Sequence, residues 1–219
     1  MNIIWHGQSC FQIEARHNKG ELTSIVIDPF SEEIGLRLPK VQADVVLVTH
    51  SHADHNNTKG VGGNPFLIQE PGEYEIKKVF VQGVSAWHDQ KQGQERGPNT
   101  IYIIEAEDLR LCHLGDLGQK ELTDEQMDKI GDVDILMIPI GGVSTISAKE
   151  AIKIMSQIEP RIIIPMHYQI PKLKTKIKLE GLDKFLKVMG IKKIEPLNKL
   201  SIKSKDISPE EAKIIVLKC

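Results

Sequence analysis

The sequence lacks the features that mark disulfide-rich, secreted or membrane-spanning proteins. It contains only three cysteines among 219 residues, and none of them forms a Cys-x-x-Cys pair. An odd number of separated cysteines is typical of reduced thiols in a cytosolic protein. The chain starts without a basic leader, and no apolar run reaches the roughly 20 residues of a membrane span. We therefore expect a cytoplasmic protein that has no membrane segment.

A strong charge of either sign is also missing. Lys and Arg number 28 and Asp and Glu number 30, which leaves a formal net charge of −2. So small a charge gives no general attraction to polyanions, which argues against nucleic acid and favours a small-molecule substrate. Hydrophobic residues make up 40% and charged residues 26%, as in an ordinary globular chain. The length predicts one domain over residues 1–219, and no feature predicts an oligomeric state.

One dense motif does stand out, His50-Ser51-His52-Ala53-Asp54-His55. It places three histidines and one carboxylate in six residues, directly after an apolar run over residues 45–48. Imidazole and carboxylate groups are suitable ligands for Zn²⁺, Mn²⁺ or Fe²⁺. Alternate residues of an extended backbone project to the same side, so His50 and His52 are predicted to share one ion. Asp54 and His55 lie where the chain turns, which suits a second ion beside the first.

Short apolar runs at five places in the chain predict buried strands, because most of them are rich in β-branched residues. A side chain that can bind metal follows the end of each run: Asp28, His50, His88, Asp116 and His167. Ligand sites in open α/β sheets form outside such strand ends. The pattern therefore predicts one metal site that is assembled from five loops.

The remaining pattern predicts two sheets packed face to face, with helices outside them. Residues 2–5 and 11–15 are typical of a β-hairpin. Thr123 is a predicted N-cap for a helix over residues 124–130. Ser147 and Glu150 form a capping-box pattern before a helix over residues 148–158, and a third helix is predicted over residues 182–189.

The order of these motifs resembles the five-motif pattern of the metallo-β-lactamase superfamily, over about residues 3–195. Residues 5–11, 70–75 and 97–100 resemble small stand-alone zinc-dependent hydrolases related to the ascorbate-6-phosphate lactonase group. Relatives often carry His where this chain has Gln8. The resemblance implies an α/β fold of the four-layer αββα sandwich type.

The resemblance also implies seven ligands around two divalent metal ions, zinc above all, with manganese and iron left open. It divides the side chains into a first site, a second site and a bridge: His50, His52 and His88; Asp54, His55 and His167; and Asp116. Asp54 would in addition act in catalysis by orienting a hydroxide held between the ions. Asp28 would fix the orientation of a ligating histidine.

Two of these residues narrow the implied chemistry. Antibiotic-hydrolysing members of the superfamily commonly carry Cys in place of Asp116, and many lack a counterpart of His55. The full two-metal set favours esters, thioesters, lactones or phosphodiesters over β-lactams. The leading hypothesis is a hydrolase of a small anionic ester or lactone. The alternatives are a phosphodiesterase or small nuclease and, in another class, a metal-stabilised sensor or binding protein without turnover.

Residues near the predicted site supply candidate substrate contacts: His6, Asn99 and Tyr168. His113 lies three positions before Asp116, an odd offset that predicts a packed structural histidine on the opposite face of the strand. The Gln- and Gly-containing loop over residues 89–99 is typical of a mobile segment, either a substrate contact or a solvated connection.

Alternating lysines over residues 172–178 predict a strand or an extended loop with one basic face. That face would either steer an anionic substrate or protect a sheet edge from aggregation.

Overall fold

The computed structural model describes residues 1–17, 20–208 and 211–219. The described strands are, in chain order, β1 (Asn2–Gly7), β2 (Cys10–Arg16), β3 (Leu22–Ile27), β4 (Val45–Leu47), β5 (Phe66–Ile68), β6 (Gly72–Ile76), β7 (Val79–Trp87), β8 (Pro98–Ala106), β9 (Leu109–His113), β10 (Ile135–Pro139), β11 (Ile162–Met166), β12 (Leu200–Ser201) and β13 (Lys213–Ile214). The described α-helices are α1 (Asp124–Ile130), α2 (Ala148–Ile158) and α3 (Leu182–Val188).

The first sheet contains six strands in the order β12-β1-β2-β3-β4-β5. Its first half is antiparallel, and the predicted hairpin is present with Asn2 opposite Glu14 and Trp5 opposite Phe11. Its second half is parallel, from β3 through β4 to β5. The two crossovers between these parallel strands contain one 3-10 turn each, Glu32–Ile34 and Thr58–Gly60.

The second sheet contains seven strands in the order β13-β11-β10-β9-β8-β7-β6. An antiparallel meander from β6 to β9 continues into parallel pairs from β9 through β10 and β11 to β13. Every residue of β10 and β11 is buried, as expected for parallel strands that are covered on both faces. Because β8 is antiparallel to both β7 and β9, and β9, β10 and β11 are parallel, β7 runs in the same direction as β9 and β11.

The two sheets pack together as the α/β sandwich that the sequence predicts, and one hydrophobic cluster runs through both of them. Tyr102 on β8 donates a hydrogen bond from its hydroxyl to the carbonyl oxygen of Val48 at 2.9 Å. The backbone N–H of Thr100 donates to the carbonyl oxygen of Thr49, also at 2.9 Å. These bonds between the sheets fix the chain directly before His50.

The predictions of the first two helices are confirmed, including their N-caps. Gln126 donates its backbone N–H to Thr123 at the start of α1, and Glu150 donates to Ser147 at the start of α2. The third predicted helix ends one residue earlier than expected, because Met189 is its C-cap. No helix within the described ranges combines the length and the apolar character that a membrane crossing requires.

Candidate metal centre

The predicted ligands lie just beyond the ends of strands in both sheets. β4 leads through the buried Thr49 into the motif over residues 50–55. In the second sheet His88, Asp116 and His167 follow β7, β9 and β11 within three residues. Because these three strands run in the same direction, their carboxyl ends lie at one edge of the sheet.

All seven predicted ligands come together at this edge. They form three overlapping groups in which the candidate ligand atoms lie within 4.8 Å of one another. The groups are His50, His52 and His88; His50, His55 and Asp116; and Asp54, His55 and His167. Residues up to 117 positions apart in the chain thus share one site, as the five-loop pattern predicts (His50 to His167).

Asp116 lies at the centre of the cluster. Its Oδ2 atom is 3.1 Å from Nε2 of His167, 3.3 Å from Nε2 of His55, 3.4 Å from Nε2 of His88 and 4.0 Å from Nε2 of His50. Donors that surround a tetrahedral zinc ion at its usual bond lengths lie about 3.3–3.6 Å apart. The spacing therefore fits donors that share metal ions, and the central position of Asp116 fits a bridge.

A second buried carboxylate, Asp28, orients two of the imidazoles. Its Oδ1 accepts from the backbone N–H of Thr49 at 2.8 Å, and its Oδ2 accepts from the Thr49 hydroxyl at 2.7 Å. Oδ2 also lies 2.9 Å from Nδ1 of His55, and the Thr49 hydroxyl lies 3.0 Å from Nδ1 of His50. Nδ1 of both histidines can thus donate into one network that ends at Asp28.

This network leaves Nε2 of His50 and of His55 without a hydrogen-bond partner, although both atoms are buried. A buried polar atom without a partner is costly, and a bound cation at the cluster would satisfy both atoms. Nδ1 of His88 and of His167 also has no partner. Nε2 of each of these two rings is the atom that faces Asp116, so the metal-facing orphans are Nε2 of His50 and of His55. The donor set and these two atoms therefore fit the divalent metal ions that the family resemblance implies.

The protonation states of His50, His88 and Asp116 agree with metal binding. Burial and the neighbouring His55 lower the pKa of His50 to about 2. Burial also lowers the pKa of His88 to about 4, although Asp116 acts in the opposite direction. Burial raises the pKa of Asp116, but His167 and His55 lower it by more, so the net shift is well below its ordinary value. Neutral imidazole and ionised carboxylate are the forms that bind metal. Burial lowers the pKa of His55, but Asp116 and Asp28 raise it by more, so the net shift is well above its ordinary value and a metal ion bound there would displace a proton.

Three residues hold the loop that carries Asp116. Asn99 accepts the backbone N–H of Asp116 at 2.9 Å and donates to the carbonyl oxygen of Leu114 at 2.9 Å. The Ser9 hydroxyl donates to Oδ1 of Asp116 at 3.3 Å. His113 is buried, as expected for a structural histidine: Nδ1 accepts from the N–H of Gly115 at 3.1 Å, so Nε2 donates to the carbonyl oxygen of Ser9 at 2.9 Å.

Comparison with known proteins decides the family. The family described as "Beta-lactamase superfamily domain" matches residues 2–167, which is most of the chain. The chain belongs to the metallo-β-lactamase superfamily.

Individual members of the superfamily are similar over most of the chain. A crystal structure from Thermotoga maritima, described as a zinc-dependent hydrolase of the metallo-β-lactamase superfamily, is 36% identical with a TM-score of 0.78. The match covers 99% of this chain and 97% of that one. A UPF0173 protein of Pyrococcus furiosus is 35% identical in an alignment 192 positions long that covers 77% of this chain and 83% of the relative.

A UPF0173 metal-dependent hydrolase of Thermoplasma volcanium is 31% identical in an alignment 199 positions long that covers 77% of this chain and 83% of the relative. The resemblance seen in the motifs is thus confirmed. By its family, its relatives and its own His/Asp cluster, the chain is a metal-dependent hydrolase of the metallo-β-lactamase superfamily.

In this superfamily member a cavity of about 470 Å³ opens onto the cluster. Five of the seven predicted ligands line it: His52, Asp54, His88, Asp116 and His167. Among its other lining residues, Ile34, Ile177 and Leu179 are apolar, and Glu33, Arg96, Lys174 and Lys176 are charged. His52 is exposed and Asp54 half-buried, so the metal centre is open to a ligand.

The three candidate substrate contacts do not line this cavity. Nε2 of His6 lies 3.2 Å from Oε1 of Gln12, away from the cluster. The ring of Tyr168 is buried against Trp5, with 5.1 Å between the ring centroids. Asn99 is buried and supports the Asp116 loop. Their predicted contact with substrate has no support in this geometry, because none of the three lines the cavity and the polar atoms of His6 and Asn99 contact protein groups.

Several cavity residues have only weak sequence signals. Gln8 donates from Nε2 to Oδ2 of Asp54 at 3.1 Å. Residues 172–178 form an irregular loop rather than a strand, so they protect no sheet edge. Lys174 and Lys176 line the cavity, whereas Lys172 and Lys178 do not. The alternation therefore predicts the basic face but not the shape of the segment.

Proposed function

We propose that the chain hydrolyses a small anionic ester or lactone with two divalent metal ions, zinc in the first place. The observation that carries this proposal is the cluster of seven ligands, five of them buried, Asp54 half-buried and His52 exposed, at an open cavity. A purely structural zinc site closes its coordination with four protein ligands. Here His52 and Asp54 remain accessible, which supports turnover over a sensor without catalysis.

The ligand set divides into a first site, a second site and a bridge: His50, His52 and His88; Asp54, His55 and His167; and Asp116. When bound, two such ions lower the pKa of water to about 7 and polarise the oxygen of the scissile group. Asp54 accepts the Gln8 amide at Oδ2, which leaves Oδ1 to accept a hydrogen bond from the attacking water. Asp28 orients two of the ligating imidazoles: that of His55 directly and that of His50 through the Thr49 hydroxyl.

The charge around the cavity supports an anionic substrate. Lys174 and Lys176 line it, and neither makes a hydrogen bond or ion pair through its side chain with a described residue. Glu33 is the opposing charge outside the ligand set. Two divalent ions with Asp54 and Asp116 would leave the site positive, so the field at the cavity attracts anions. The same lysines favour a phosphodiester as the second candidate substrate.

The test is metal analysis of the purified protein, followed by a panel of lactones, esters, thioesters and phosphodiesters. We expect about two equivalents of metal and the highest kcat/KM on an anionic ester or lactone. Hydrolysis of phosphodiesters alone would replace the leading substrate with the second. Full metal content without turnover on any substrate would favour a sensor.

A ligand variant tests the assignment directly. His52→Ala is expected to abolish tight metal retention and turnover, because it removes one of the three imidazoles of the first group. His17→Ala serves as the control, since His17 bonds to Thr23 and lies outside the cluster. A His52→Ala variant that kept its metal and its rate would show that the ligand assignment is wrong.

A further inference from the structure

Arg96 is the cavity residue whose side chain the metal centre leaves unexplained. It is half-buried and lines the same cavity as His52, His88 and Asp116. Its guanidinium makes no hydrogen bond or ion pair with any residue in the described parts of the chain. A guanidinium without a protein partner at a cavity wall is available to a ligand, and its rigid fork of N–H donors matches carboxylate and phosphate oxygens.

The loop that carries Arg96 is held firmly, although its composition is typical of a mobile segment. The Asp89 carboxylate is buried and accepts four backbone N–H groups. Oδ1 accepts from Lys91 at 2.7 Å and from Gly93 at 2.9 Å. Oδ2 accepts from Glu95 at 3.0 Å and from Arg96 itself at 2.8 Å. One side chain thus fixes the whole turn and places the backbone of Arg96.

The same loop is closed at its base beside a predicted ligand. The N–H of His88 donates to the carbonyl oxygen of Gly97 at 3.2 Å, and the N–H of Gly97 donates to Gly93 at 3.0 Å. His88 and Asp89 are adjacent, so one short segment carries a metal ligand and fixes the backbone of Arg96 at the cavity wall. The position of Arg96 relative to the metal centre is therefore fixed by the fold.

We propose that Arg96 binds an oxyanion of the substrate, a carboxylate or a phosphate outside the scissile bond, and that Asp89 is its positioning residue. This inference rests on the proposed function, which it extends by naming the group that the enzyme recognises. Lys174 and Lys176 add positive charge from a separate segment, whereas Arg96 supplies the bidentate contact. Glu33, the opposing carboxylate of the cavity, disfavours an anion on its own side.

The kinetic test compares matched nitrophenyl esters whose acyl chains end in a methyl group, a carboxylate or a phosphonate. Arg96→Gln is expected to lower kcat/KM about 10- to 100-fold on the anionic esters, mainly through KM, and to leave the neutral ester nearly unchanged. Arg96→Lys should recover part of the loss. Lys91→Gln is the control: it removes a positive charge from the same loop, but that charge is paired with Glu95. It should leave kcat/KM unchanged on both the neutral and the anionic esters. An equal loss on neutral and anionic esters would overturn the proposal.

A binding measurement separates this inference from the proposed function. Calorimetry of the metal-loaded protein with phenylphosphonate and with benzoate needs no turnover, so it can be read even if no ester is cleaved. We expect Arg96→Gln to weaken binding of at least one probe about 10-fold or more. The probe that responds identifies the oxyanion. Unchanged binding of both probes would overturn the proposal.

A double-mutant cycle tests the role given to Asp89. Asp89→Asn replaces one carboxylate oxygen by a donor, which removes two of the four backbone acceptor contacts. If Asp89 acts through Arg96, this change weakens probe binding in the wild type but not in the Arg96→Gln background. Metal content of each variant is measured in parallel, because His88 is adjacent. Additive losses at equal metal content would show that Asp89 does not act through Arg96.

Discussion

Replacing Asp28 with Asn is expected to weaken both the fold and the metal centre. Asp28 is fully buried and accepts hydrogen bonds from the N–H of Thr49, the hydroxyl of Thr49 and Nδ1 of His55. An Asn amide offers one acceptor edge and one donor edge, so at least one native donor meets an N–H group whichever way the amide turns. Asp28 has a φ of 48°, a left-handed conformation that Asn tolerates, so the substitution adds little backbone strain.

The expected magnitude follows from these contacts. A buried hydrogen bond to a charged group is worth about 1.5–3 kcal/mol, and an unpaired buried donor adds to the loss. We expect the free energy of unfolding of the metal-free protein to fall by about 2–4 kcal/mol. Loss of the partner that orients a ligating histidine should weaken metal affinity about 10- to 100-fold.

Urea unfolding of the chelator-treated protein measures the first effect, and competition with a chromophoric chelator measures the second. Asp108→Asn is the matched control, because Asp108 also has a positive φ, of 57°, but is exposed and lines a separate surface cavity that contains none of the predicted ligands. A variant that lost stability as expected but kept its metal affinity within about twofold of the wild type would refute the orienting role of Asp28.

Three further changes test separate parts of the structure. Asp44→Asn should lower the free energy of unfolding by about 1 kcal/mol at pH 7. The difference in stability between the variant and the wild type should shrink as the pH falls through the folded-state pKa of Asp44. Burial raises the pKa of Asp44, but Lys77 and the N–H of Ser24 lower it by more, so the folded-state pKa lies below the unfolded-state pKa. The ionised Asp44 therefore stabilises the fold at pH values above its unfolded-state pKa, and this stabilisation is lost in acid. Urea unfolding at pH 7 and pH 3 checks this. Gly115→Ala should cost about 2–4 kcal/mol and reduce metal content, since φ is 57° and a Cβ would lie 2.3 Å from Oδ1 of Asn99. Thr123→Ala should lower the free energy of unfolding by about 1 kcal/mol without changing the metal content, because it removes the N-cap of α1. Thr123→Ser keeps the capping hydroxyl and should leave the stability nearly unchanged.

Features that depend on neighbours in the sequence could be predicted. The capped starts of α1 and α2 follow from Thr123, Ser147 and the residues three positions later, since a capping box is a local structure. The strands before the predicted ligands follow from short β-branched runs with a polar residue at the end. The convergence of the ligands follows because strand ends of one direction share a sheet edge.

Features that depend on tertiary packing could not be predicted in the same way. Arg96 lies at the cavity because Asp89 folds the loop around four backbone N–H groups, and composition alone indicates only a turn-rich segment. Lys174 donates its backbone N–H to the carbonyl oxygen of Ile34 at 2.7 Å, so the lysine segment follows the loop over residues 31–35 instead of pairing as a strand. Sequence position also does not show which way a side chain points: the Asn99 amide holds the Asp116 loop, and the ring of Tyr168 is buried against Trp5.

Close approach of backbone segments is what makes the centre compact enough to bind metal. A Cβ on Gly118 would lie 2.4 Å from the carbonyl oxygen of His88, and a Cβ on Gly141 would lie 2.2 Å from that of His167. Each of these glycines follows a strand of the second sheet and leaves room for the backbone of a ligand on another strand. Any larger residue at either position would push that ligand away from Asp116, whose Oδ2 lies only 3.1 Å from Nε2 of His167. The metal centre therefore depends on these two glycines as well as on its ligands, because they let loops from separate strands bring imidazole and carboxylate atoms close enough together to bind metal.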